Sequence, residues 1–166
     1  MKIRTMSRSQ ALDHVATVPT AIISIYTPGD KQALLRISSL VRAVTWLKFR
    51  DIDPDSIRRN GETVDPSTGE VVTMEMAFHD AFSDDQARDV LLFALTHKDH
   101  IEELVIHCDA GRSRSVGMAE ALALFLGEAD QVQSIVAGKS PNAHVKSTLL
   151  RVALTENIEP RKVRYE

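Results

Sequence analysis

Apolar positions along this chain fall into short blocks separated by charged and turn-forming stretches. Thr20-Ala21-Ile22-Ile23-Ser24-Ile25-Tyr26 is β-branched and apolar, which predicts a central strand closed by the turn Thr27-Pro28-Gly29-Asp30. Residues 43–49 predict a second strand that runs into the acidic stretch Asp51-Ile52-Asp53-Pro54-Asp55. Leu104-Val105-Ile106 is apolar and short enough for a third, buried strand. Helical spacing appears elsewhere. Ser83 and Gln86 have capping-box spacing before a helix over residues 84–97, with Ala87, Val90, Leu91 and Ala94 on one face. Residues 116–126 are apolar and long enough for a buried helix, and residues 130–137 predict another. Ser140-Pro141-Asn142 introduces a last helix, capped by Asn142, with Val145, Leu149 and Val152 turned inward. The remainder is less regular. Residues 1–16 read as a mixed, partly helical lead-in, 34–40 as a short helix or turn, and 54–70 as loop. Asp65-Pro66-Ser67-Thr68-Gly69-Glu70 joins two apolar pieces as a hairpin, and Met76-Ala77-Phe78 leads on to His79 and Asp80.

Alternation of strands and helices predicts an α/β fold: a central, mostly parallel sheet flanked by helices. The 166 residues suit a single domain, 1–166, with a core over about 20–155, an inserted hairpin at about 54–76 and a frayed tail at 160–166. In such sheets ligands bind beyond the carboxyl ends of the strands.

Composition narrows the choice of chemistry. The 43% hydrophobic and 26% charged residues are an ordinary soluble balance, and no apolar run has membrane-spanning length. The basic N-terminus has no apolar core behind it, which predicts no export and a cytoplasmic location. The net charge of −3 and the lack of a basic block argue against a nucleic-acid partner. One cysteine excludes an internal disulfide and suits a reducing compartment, and the six histidines show no ligand spacing, so neither metal nor other cofactor is expected.

That cysteine stands where the third strand ends, in His107-Cys108-Asp109-Ala110-Gly111-Arg112-Ser113-Arg114-Ser115, just before the buried helix. A helix start offers unpaired N–H groups and the positive end of the helix dipole. Such a place binds anions and favours a thiolate over a thiol. Arg114 brings a guanidinium to the same hollow, and Gly111 admits backbone angles closed to other residues.

The spacing His-Cys-x-x-Gly-x-x-Arg-Ser resembles the signature of the cysteine-based protein tyrosine phosphatases, nearest to the small dual-specificity and prokaryote- or phage-type members. Weaker similarity extends over roughly residues 20–155, in Ile23-Ser24-Ile25 with Thr27-Pro28-Gly29, in Leu47-Lys48-Phe49-Arg50-Asp51, and in Ser140-Pro141-Asn142 followed by Val145 and Leu149. The resemblance implies a phosphomonoester hydrolase acting through a phosphocysteine, on a phosphorylated protein or a small phosphomonoester. Cys108 would be the nucleophile, and Arg114 would clamp the phosphoryl group and its transition state. Ser115 would hydrogen-bond the thiolate, and His107 would order the loop. Backbone N–H groups over Asp109, Ala110, Gly111, Arg112, Ser113 and Arg114 would cradle a phosphate or sulfate anion.

The general acid is open between Asp51 and Asp80, with Asp53 third. Asp51 follows a strand as the family's acid does, whereas Asp80 lies at the more usual distance before the cysteine. The Trp-Pro-Asp form of the larger tyrosine phosphatases is absent. Other readings are a phosphate-binding module that keeps the loop without a placed acid, and phosphatases of RNA 5′ ends or phosphoinositides. The His-Cys start and Arg-Ser end fit poorly with a rhodanese-type sulfurtransferase.

Overall fold

A computed structural model describes residues 1–66 and 68–160; the predicted tail beyond Pro160 lies outside the described residues. Four strands form one parallel sheet in the order β1-β6-β2-β3: β1 Lys2–Met6, β2 Thr20–Tyr26, β3 Val41–Lys48 and β6 Glu103–His107. The predicted α/β architecture, a central parallel sheet flanked by helices, is what the chain forms.

Alternation along the strands divides the sheet's two faces. Ile23, Ile25, Leu104 and Ile106 face the larger core, which α4 Asp84–His97, α5 Arg114–Leu126 and α7 Ala143–Thr155 cover together with α6 Val132–Val136. Ile22 and Val105 face the other way, onto Ala11 of α1 Arg8–Asp13 and the side chains of Leu35, Val41 and Val44. Nine of the thirteen residues of α5 are buried, so it is a central helix and not an amphipathic one. Each large apolar side chain so buried contributes about 1.5–3 kcal/mol.

Local signals explain the helix ends. Ser83 and Gln86 form the reciprocal capping box at the start of α4, and the Asn142 side chain accepts the Val145 N–H at the start of α7. Where the sequence had predicted a helix over 130–137, a short 3₁₀ turn leads into α6.

Three expectations are corrected. The lead-in contains a strand, because Ile3 and Met6 bury against β6 while Lys2 and Arg4 remain outside or at the rim. Of the short helix or turn expected over residues 34–40, only a turn at 39–40 forms; the rest runs as an irregular segment over the α1 side of the sheet. The stretch read as loop opens with α2 Pro54–Asn60, with Asp53 as its cap and Pro54 in its first turn, a position where the missing proline N–H costs nothing. The hairpin follows as β4 Thr63–Val64 paired with β5 Val71–Val72, and then α3 Met74–Asp80. These pieces share a small core of Ile52, Ile57, Val72 and Ala77, separate from the main one. No helix among the described residues is long and apolar enough to cross a membrane.

Candidate active site

The loop from Cys108 to Ser113 connects β6 to α5 at the carboxyl edge of the sheet. Two close approaches hold it. On one side it lies against the end of β1: the Arg8 N–H donates to the Asp109 carbonyl at 3.0 Å, and a Cβ on Gly111 would stand 2.6 Å from backbone atoms of Met6 and Ser7. Gly111 also has φ +67°, so glycine is required there on both counts. On the other side the Ser140 N–H donates to the Arg112 carbonyl and the Asn142 N–H to the Ser113 carbonyl, each at 3.1 Å. Gly117, one turn into α5, permits that contact, since its Cβ would lie 2.5 Å from the Asn142 carbonyl oxygen.

A cavity of about 280 Å³ opens above the loop. Its walls include Asp51, Pro66, Cys108, Ala110, Arg112, Ser113, Arg114 and Ser140. Cys108 is 2% exposed, and its Sγ is hydrogen-bonded to Ser115 Oγ at 3.2 Å. The hydroxyl can thus donate to a thiolate.

Arg114 is 1% exposed and held from three directions. Its Nη1 donates to the Phe49 carbonyl at 2.9 Å and to Thr27 Oγ1 at 3.1 Å, and its Nη2 donates to Asp109 Oδ2 at 2.6 Å. Thr27 closes the triangle by donating to Asp109 Oδ2 at 3.0 Å. The Phe49 ring lies under the guanidinium at 6.0 Å. Only Nε of this side chain is buried with no hydrogen-bond partner among the described residues. Asp109, expected in the anion cradle, therefore turns its carboxylate onto Arg114 and leaves only its backbone for an anion. Arg112 stands at the rim, its longest reach being 3.5 Å to the Gly138 carbonyl.

The two candidate acids part company here. Asp51, 8% exposed, reaches the cavity wall. Its Oδ1 accepts from Ser113 Oγ at 2.6 Å and from Asn142 Nδ2 at 2.8 Å, which fixes the carboxyl plane. Asp80 ends α3, with its Oδ2 on Arg50 Nε at 3.0 Å, and does not line the cavity. Asp53 caps α2, accepting the Asp55 N–H at 3.0 Å.

His107 lies beneath the loop, by strand alternation on the α1 side with Ser24, its register partner on β2. Burial pushes its pKa down from 6.5 to about 4; the Arg8 charge adds to the shift, while the Cys108 backbone and Asp109 oppose it. The imidazole is neutral near pH 7. Neither ring nitrogen meets strict hydrogen-bond geometry among the described residues, although the ring lies close enough to the Cys108 backbone for that contact to favour its protonated form. No cluster of three or more His, Cys, Asp or Glu side chains able to hold a metal ion occurs among the described residues.

Sequence reading missed Thr27, the Phe49 carbonyl and the backbone of Met6 to Arg8 as supports of the site. Thr27 carried a turn signal and a place in the weaker family likeness but no role at the site, and backbone groups carry no signal of side-chain type. Asn142 was read as a helix cap, which it is; its second bond, to Asp51, needs a pairing 91 residues apart.

No family model matches the chain, and no curated protein matches it. Among solved structures, the crystal structure of PTPMT1 in complex with PI(5)P is similar over 94% of this chain and 92% of that one, with TM-score 0.50 and 15% identity. The likeness shows a shared fold.

Proposed function

We propose that the protein is a phosphomonoester hydrolase working through a phosphocysteine. One observation carries this: Cys108, Arg114 and Asp51 meet at a single cavity, and the buried Arg114 Nε–H has no hydrogen-bond partner among the described residues. A buried donor without an acceptor is costly, and a phosphoryl oxygen would satisfy it. The neighbour in fold, PTPMT1, is a dual-specificity-type cysteine phosphatase.

In the first step the Cys108 thiolate attacks phosphorus, and the bond to the leaving oxygen breaks. Asp51 gives its proton to that oxygen. Arg114 Nε and the backbone N–H groups of residues 109–114 hold the equatorial oxygens, whose charge is spread in the transition state. In the second step a water attacks phosphorus and passes a proton to the Asp51 carboxylate. The phosphorus–sulfur bond breaks, and Ser115 donates to the departing thiolate. Phosphate leaves. A thiol that must remain reduced suits the cytoplasm.

The substrate class proposed first is a phosphoprotein, with phosphotyrosine as the aryl ester that a good leaving group favours. A phosphoinositide is the second reading, supported by the PI(5)P held in the PTPMT1 structure. The net charge of −3 weighs against an anionic surface as partner. Initial rates on an aryl phosphate, a phosphotyrosyl peptide and a short-chain phosphoinositide rank them. Turnover of the aryl phosphate, lost in Cys108→Ser, is the expected result. Phosphate binding without turnover at any pH between about 5 and 7, which spans the second phosphate pKa, would instead mean a binding module.

A further inference from the structure

Arg50 stands between two residues of the site, Phe49 and Asp51, and its own bonds all point elsewhere. Its backbone N–H donates to the Asp80 carbonyl at 2.7 Å. Its Nε donates to Asp80 Oδ2 at 3.0 Å and its Nη1 to Glu70 Oε2 at 2.6 Å, while Asp65 Oδ2 lies 3.8 Å from Nη1. The guanidinium is 11% exposed and Asp65 is wholly buried. Burial works against the charge on Arg50, but the hydrogen bonds it donates to Asp80 and Glu70 outweigh that cost and hold the pKa above its ordinary value.

All three carboxylates belong to the segment from β4 to α3. That segment packs mainly on its own small core, so it lacks the broad apolar contact that seats α4, α5 and α7. Pro66, next to Asp65, lines the thiol cavity. It also borders a second hollow, which shares Asp51 and Ser113 with the first and continues to Ile52, Val64 and Pro141. Pro66 thus borders both, together with Asp51 and Ser113.

We propose that Arg50 is a positioning residue: by gathering Asp65, Glu70 and Asp80 it holds Pro66 as the outer wall of the site, and so limits the leaving group to one that fits between Pro66 and Ala110. Exposed ion pairs contribute little, but a shielded guanidinium that bridges Glu70 and Asp80 beside the buried Asp65 ties together parts of the segment that its small core alone does not. Lysine would not replace it, since a single ammonium cannot span three carboxylates with planar geometry. The effect on leaving groups rests on the phosphatase reading; the effect on the wall does not.

Hydrogen exchange on the full-length protein tests the wall directly, comparing wild type with Arg50→Gln and with Glu70→Gln, a half-exposed residue whose change leaves the fold intact. The expected result is faster exchange confined to residues 63–72, by about tenfold or more in Arg50→Gln and less in Glu70→Gln, with β2, β6 and α5 unchanged. Unchanged exchange at 63–72, or acceleration across the whole sheet, would overturn the proposal. Kinetics supply the second readout. KM for a compact aryl phosphate rises about three- to tenfold in both variants while kcat stays within about twofold, the pattern of lost uniform binding. A fall in kcat with KM unchanged would contradict a wall role. If wild type turns over no phosphomonoester, the phosphatase reading fails, and the exchange result still decides whether Arg50 holds the wall.

Discussion

Asp51 and Asp80 differ in what occupies their carboxylates. Asp80 is bound to the Arg50 guanidinium and does not line the cavity that holds Cys108. Asp51 spends one oxygen on two neutral donors, Ser113 and Asn142, and reaches the cavity wall. Asp51→Asn should therefore lower kcat by about 10²–10⁴-fold on substrates with poor leaving groups and much less on activated aryl esters. Asp80→Asn should leave that dependence on leaving group unchanged. Equal, small effects from both would mean that neither is the acid. His107 makes a different kind of prediction. Burial holds its native pKa at about 4 against 6.5 for the free group. Its contribution is complete above the unfolded pKa and is lost as pH falls towards the folded one, so the window is about 6.5 down to 4. At the bottom of that window about 3 kcal/mol has gone. Urea unfolding at about pH 7 and about pH 4.5 should show wild type losing more stability than His107→Gln. An equal loss in the two proteins would refute it.

At the scale of elements, the loop is a joint between three segments distant in sequence: the end of β1, the start of α5, and residues 140–142 before α7. Two glycines permit that joint. In Gly117→Ala the new methyl would meet the Asn142 backbone, and in Gly111→Ala it would meet Met6 and Ser7 at a positive φ. Each substitution should cost about 1–3 kcal/mol by overpacking, and Gly117→Ala should lower turnover as well, since Asn142 orients Asp51. Denaturant midpoints and rates on the purified variants check both; wild-type values for Gly117→Ala would disprove the contact. The elements that make the joint were unevenly legible. β2, β6, α4, α5 and α7 follow from unbroken apolar runs, helical spacing and the caps Ser83 and Asn142. β1 was illegible because it is an edge strand of five residues in which only Ile3 and Met6 are buried. α2 and α3 were illegible for a different reason: each buries a single side chain, Ile57 or Ala77, so neither has a helical stripe. The Asp53-Pro54 start was present in the sequence but was outweighed by the polar run after it. Cys108 and Arg114 stood out because side-chain type alone marks them. The choice of Asp51 over Asp80 needed the contact with Asn142, which no local pattern encodes.

For the whole molecule, function follows from where the sheet ends. Parallel pairing of β1, β6, β2 and β3 brings Met6, His107, Tyr26 and Lys48 to one edge. The segments that continue from those strands supply the loop's backing, the thiol, the Thr27 hydroxyl, and Phe49 with Asp51. Topology thus brings the Cys108 thiol together with Arg114 and Asp51 at one cavity, from parts separated by dozens of residues. In the proposed reaction phosphorus passes through Cys108. Rapid acid quench of the protein mixed with an aryl phosphate, followed by peptide mass mapping, tests it. The expected result is a phosphoryl group on the peptide containing Cys108, formed at the rate of the first turnover and accumulating in Asp51→Asn when an activated ester is used. Phosphate release that proceeds unchanged in Cys108→Ser, or a phosphoryl group trapped on any other residue, would contradict it.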